Sequence, residues 1–126
     1  MKNLILVVML LLPTNLCAHE ILIHETSNEA LFLNINNSKV TTTDSDLNII
    51  LYDKKSEAVV SLQIKVDSIA DNLRVHILSV TIYDLIGNVI NYKENVFSYI
   101  LNPITTDPID IAIIRSLKIL IGNFDV

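Results

Sequence analysis

Between residues 20 and 101 the chain alternates apolar with polar residues at a period of two and leans on Ile, Val, Thr and Tyr, which most narrows what it can fold into. Successive strand side chains point to opposite faces, so this pattern buries one face of a sheet and leaves the other wet. Strands are expected near residues 20–25, 30–36, 47–53, 58–66, 73–84, 89–93 and 97–101. Ser61, Gln63 and Lys65 alternate with Leu62, Ile64 and Val66, which predicts a one-sided strand. Residues 73–83 are apolar on both faces apart from Arg74, His76, Ser79 and Thr81 and belong in the middle of a sheet. Between these runs lie clusters such as Asn36-Asn37-Ser38, Asp44-Ser45-Asp46 and Asp53-Lys54-Lys55-Ser56, whose side chains bond the local backbone, so turns are expected there. The clearest turn is 84–88, where Gly87 can take the positive φ that a short hairpin loop needs. The expected fold is all-β, an antiparallel β-sandwich of immunoglobulin-like or transthyretin-like character.

The C-terminal segment keeps an α+β alternative open, with a helix at 108–121. Thr106-Asp107-Pro108 followed by Asp110 has the form of a helix start, with a cap, a proline in the first turn and an acid three residues after the cap. Gly122 stands where a terminator would. Against this, Ile109, Ile111, Ile113, Ile114, Ile119 and Ile121 are β-branched and surround the segment with apolar surface, which suits a buried strand equally well.

Residues 1–18 read as an export signal. Lys2 supplies a positive start, residues 4–12 form an unbroken apolar run, Pro13 ends it, and Ala18 offers a small residue at a cleavage site. The run is shorter than the roughly 20 residues needed to span a hydrocarbon core, so no stable membrane span is expected. Lipid anchoring through Cys17 is the alternative, weakened by the bulk of Leu16 before it. Cleavage after Ala18 leaves residues 19–126 as one β-rich domain, secreted or periplasmic, without cysteine, so that disulfides and thiolate metal sites are excluded.

Charge and glycine content exclude further classes. Loss of Lys2 leaves 8 basic against 14 acidic residues, a net charge of −6, which repels nucleic acid and anionic lipid. The two glycines, Gly87 and Gly122, form no G-x-G-x-x-G, G-x-x-x-x-G-K-[ST] or G-x-S-x-G pattern, so nucleotide-dependent chemistry and the commonest serine hydrolase geometry are not expected. Asp44-Ser45-Asp46-Leu47-Asn48 copies the opening of a calcium loop, but Ile49 stands where glycine and Lys55 where glutamate is required. Asn36-Asn37-Ser38 fits a glycosylation acceptor, which matters only in a eukaryotic host. The tyrosines Tyr52, Tyr83, Tyr92 and Tyr99 fall on expected strands and are read as residues at the edge of the core.

The stretch Val80-Thr81-Ile82-Tyr83-Asp84-Leu85-Ile86-Gly87-Asn88-Val89-Ile90 resembles the hairpin of FxLYD-type and related immunoglobulin-like accessory domains of exported proteins. It covers about one tenth of the chain, and the family's preceding glycine and asparagine positions are not matched in 61–73. The resemblance implies a sandwich architecture and no catalytic residues.

Cleavage after Ala18 would expose His19 as a new N-terminus, whose amine and imidazole together suit copper, with His24 or His76 adding a nitrogen. In this respect the chain is similar to small periplasmic copper-carrier sandwiches whose mature chains also begin with histidine. It departs from them in running through Glu20-Ile21-Leu22-Ile23 straight into a strand, and the odd spacing of five places His19 and His24 on opposite faces of a regular strand. The leading expectation is therefore an exported, non-enzymatic interaction or accessory protein of the periplasm or cell envelope, with a protein partner and no cofactor. A copper carrier using His19, and an enzyme with an unrecognised site, are the alternatives. Mass spectrometry of the exported chain should find it beginning at His19; a chain that keeps Met1, or one with diacylglycerol on Cys17, would overturn the export reading.

Overall fold

The computed structural model describes residues 20–41 and 44–124. The expected export signal at residues 1–18, with Cys17, and the candidate ligand His19 lie outside these described residues. The described chain forms β1 (Glu20–Glu25), β2 (Glu29–Asn34), β3 (Lys39–Val40), β4 (Asp44–Asp53), β5 (Ala58–Ile69), β6 (Asn72–Tyr83) and β7 (Val89–Ile100), followed by one helix, α1 (Pro108–Phe124). All strand pairs are antiparallel in one sheet of order β1-β2-β4-β5-β6-β7, with the short β3 paired to β4. The β-rich antiparallel fold follows from the alternation. The two sheets of an immunoglobulin-like or transthyretin-like sandwich are not the arrangement of the described strands, because the second layer is α1.

The helix forms for the reason its N-terminus announces. Asp107 Oδ1 accepts from the Ile109 N–H at 2.8 Å, and the Asp107 carbonyl accepts from the Ile111 N–H at 3.0 Å. Asp107 is thus the N-cap, with Pro108 at the first helical position, where its missing N–H costs nothing. The expected stop at Gly122 is overrun as far as Phe124, since a glycine inside a helix costs about 1 kcal/mol without ending it. Ala112, Ile113, Ser116 and Leu120 are buried at helical spacing. They face Leu31, Leu33, Leu47, Ile49, Leu62, Ile64, Val66, Val75 and Ile77 on the inner face of the sheet.

The 84–88 hairpin is as expected. Gly87 has φ 91°, the Asp84 N–H donates to the Asn88 carbonyl at 3.0 Å, and Asp84 Oδ1 accepts from the N–H groups of Ile86 and Asn88. Asp44-Ser45-Asp46, in contrast, is strand and not turn. Its residues pair with Val66, Lys65 and Asp67 of β5, and Lys65 Nζ lies 3.2 Å from Asp44 Oδ2. The two short strands expected at 89–93 and 97–101 are one strand, β7, in which residues 95–96 bulge opposite Leu78 of β6. Extra residues also interrupt the register at Ile23 and Ile90. Bulges bend and twist a sheet locally.

On the outer face a second apolar cluster of Ala30, Phe32, Ile50, Tyr52 and Val59 packs with Tyr83 and Leu85. Beside it a polar row crosses the sheet. Glu20 pairs with Asn34, and Asn48 donates through Nδ2 to Ser61 Oγ at 3.0 Å and to the Leu62 carbonyl at 3.2 Å. Burial pushes the Glu20 carboxyl up to about 7, and neither its oxygens nor the side-chain atoms of fully buried Asn34 have a partner.

Because Ile113 is fully buried between helix and sheet, Ile113→Ala should lower the stability of the fold by about 2–5 kcal/mol. Denaturant unfolding should show this as a lower midpoint with an unchanged slope.

Candidate functional site

One helix cannot cover this sheet. An α-helix is about 10 Å wide with its side chains, while six adjacent strands span about 24 Å. α1 makes its main contacts with β1, β2, β3 and β4. Leu62, Ile64, Val66, Val75 and Ile77 of β5 and β6 are buried in the same core, but the inner face is uncovered towards β7, around Val80 and Phe97. There a groove of about 420 Å³ is lined by Leu62, Ile77, Val80, Phe97, Tyr99, Asp107 and Ile109. Leu62 and Ile77 form its buried floor, whereas Phe97 is 55% exposed.

Register explains the lining. Leu62 is opposite Val80 and Ile77 is opposite Phe97, and each pair shares the inner face. Phe97 and Tyr99, two residues apart on β7, are stacked with ring centroids 5.6 Å apart at 27°. The Tyr99 hydroxyl donates to Asp110 Oδ1 at 2.5 Å and so ties β7 to the first turn of α1. Burial, and then this carboxylate acceptor, push the Tyr99 hydroxyl well above the ordinary phenol range. Asp107 stands at the groove mouth as the exposed N-cap. The site is an apolar trough with a carboxylate at its rim, suited to a large apolar side chain with a cation beside it.

The candidate metal ligands are not brought together. His24 lies on edge strand β1, its Nδ1 3.2 Å from Arg115 Nη1 on α1, and this guanidinium would oppose a cation there. His76 lies on β6, four strand spacings away, about 19 Å along the sheet. Its Nδ1 is 2.7 Å from Ser98 Oγ and its Nε2 is 3.2 Å from Asp67 Oδ2. Among the described residues no group of three or more His, Cys, Asp or Glu is placed to hold a metal ion.

The Asp67, His76, Ser98 string follows the order of a hydrolase relay, a geometry with no counterpart in the sequence motifs. Here Arg74 already holds Asp67 through two parallel bonds, Nε to Oδ1 at 3.1 Å and Nη2 to Oδ2 at 3.0 Å. Asp67 is directly opposite Arg74, and His76 directly opposite Ser98. The string is a cross-strand ladder that joins three strands on the outer face.

The groove has no single sequence motif, since its residues come from three strands and a helix start. The available signal is that residues 96–101 are apolar on both faces apart from Ser98, a pattern suited to a central strand, although β7 lies at the edge. Comparison with family models, curated proteins and solved structures finds no match to this chain. Among the described residues no helix is long and apolar enough to cross a membrane.

The Arg74 hydrogen bonds hold the Asp67 carboxyl below its usual range. A lowered folded-state pKa adds stability that is present above the unfolded carboxylate value of about 4 and is lost as pH falls through the folded value. Asp67→Asn should therefore lower the melting temperature slightly at pH 7, the pair being solvent-exposed, and the difference from wild type should vanish in strong acid. An equal difference at both pH values would show that the ladder does not act through charge.

Proposed function

We propose that this chain is an exported, non-enzymatic interaction or accessory protein of the periplasm or cell envelope, and that it binds a protein partner at the groove and free edge on the β7 side of its sheet. The observation that carries this reading is the concentration of exposed apolar side chains on β7. Val89, Ile90, Tyr92, Phe97 and Ile100 are each more than half exposed on one edge strand, and Phe97 also walls the groove. Phe97 lies on the inner face while Val89, Tyr92 and Ile100 project from the outer face, so apolar side chains flank this edge strand on both sides and mark it as an interaction edge. The tripartite segment at residues 1–18 supports export, and the mature charge of −6 favours a basic protein partner over nucleic acid or an anionic bilayer.

Affinity capture from the native envelope with the mature chain, followed by cross-linking, tests the proposal. Phe97→Glu should abolish the cross-linked partner while leaving the circular dichroism spectrum unchanged, and His19→Ala should leave the association intact. If instead His19→Ala abolishes it, and copper titrates one-to-one onto the wild type, the carrier alternative replaces this reading.

A further inference from the structure

The two edges of the sheet differ in a way that indicates how a partner would dock. β1 has six residues, is bulged at Ile23, and its Ile23 carbonyl accepts from Arg115 Nη1 at 2.8 Å. That edge is short, bent and partly capped, the usual means of blunting a strand edge. β7 has twelve residues and, among the described residues, pairs with β6 alone. The Leu101 N–H donates to the Leu73 carbonyl at 2.8 Å, which sets the phase of the antiparallel ladder. Bonded and non-bonded positions alternate, so Ile100 and Ser98 turn their N–H and C=O groups to the free edge.

We propose, resting on the interaction reading above, that the partner enters as an extended segment that adds a strand to β7 alongside residues 97–101. A large apolar side chain of that segment fills the groove, and a neighbouring Lys or Arg meets Asp107. Main-chain bonds to Ser98 and Ile100 supply the pairing, and the groove selects alternate side chains. Side chains of an added strand that lie beside Phe97 and Tyr99 fall on the inner face, directly over the trough. Charge decides between a foreign segment and a second copy. The groove mouth carries Asp107, with Asp110 in the first turn of α1, and the whole chain has a net charge of −5, so self-association would bring like charges together.

A random nonapeptide display library selected on the mature chain tests this, with affinities measured by fluorescence polarisation. Selected peptides should carry large apolar residues at i and i+2 beside a Lys or Arg. Methylating their backbone amides one at a time should weaken binding at alternate positions only, by about tenfold or more. Ile100→Pro removes an outward N–H from an edge strand, where proline is tolerated, and should reduce binding by a similar factor with the fold intact. Asp107→Asn keeps a good N-cap, and should abolish the preference for a basic residue while retaining the apolar one.

Peptides with apolar residues at i, i+3 and i+4, or unaltered binding to Ile100→Pro, would overturn strand addition. If Phe97→Glu still abolishes capture of the native partner in that case, the interaction reading stands and only the docking mode fails. If neither Phe97→Glu nor Ile100→Pro affects that capture, both fail. A wild-type dimer in sedimentation that Ile100→Pro dissociates would make a second copy the occupant and overturn the assignment of a basic foreign segment.

Discussion

The packing of α1 against the inner face of the sheet is the interaction on which the rest of the structure depends. The helix is rich in β-branched isoleucine, a poor helix former, and its local propensity would not sustain it alone. Two conditions offset this. Asp107 and Pro108 organise the first turn, and Ala112, Ile113, Ser116 and Leu120 fall on one stripe that meets apolar positions of the sheet. Of the six isoleucines that make the segment ambiguous in isolation, Ile113 is fully buried and Ile109, Ile114 and Ile119 pack partly against the core, while Ile121 stays exposed.

The open groove follows from the same packing. A single helix covers part of a six-strand width, and the uncovered part is bounded on one side by the start of that helix. Asp107 therefore has two places in the structure, as the cap that begins α1 and as the charged rim of the trough. The Tyr99 to Asp110 hydrogen bond fixes the spacing between β7 and the helix start, so the trough has walls from two different elements. A surface built this way is rigid at its floor, where Leu62 and Ile77 belong to the core, and accessible at its edge, where Phe97 faces solvent.

Much of the strand layout is legible from residue order. Gln63 and Lys65 do alternate with the core residues Leu62, Ile64 and Val66, although Ser61 is itself buried against Asn48, and Gly87 does close the β6 to β7 hairpin with positive φ. The misread places are those where long-range pairing overrides local chemistry. Asp44-Ser45-Asp46 has turn composition but is held in β4 by its register with Asp67, Val66 and Lys65. Residues 93–97 carry a lysine, a glutamate and an asparagine around a bulge, yet the pairing with β6 runs through them. The candidate site was legible only in part. The apolar character of 96–101 is visible, but its juxtaposition with Leu62, Val80 and Ile109 is not.

What the sequence determined by itself is therefore the periodic part: strands with an apolar face, turns where Asp, Asn and Gly can satisfy the backbone, a capped start at Asp107, and an acidic chain whose first 18 residues have the form of an export signal. These are short-range properties, set by the geometry of two or three successive residues. Tertiary structure alone decided that 108–124 is helix instead of strand, that the strands make one sheet, and that β7 is its free edge. Each of those outcomes depends on which apolar surfaces meet across a long sequence separation. Burial of the Ala112, Ile113, Ser116 and Leu120 stripe against the sheet selects among locally equivalent conformations, and the same packing leaves the β7 side of the inner face uncovered.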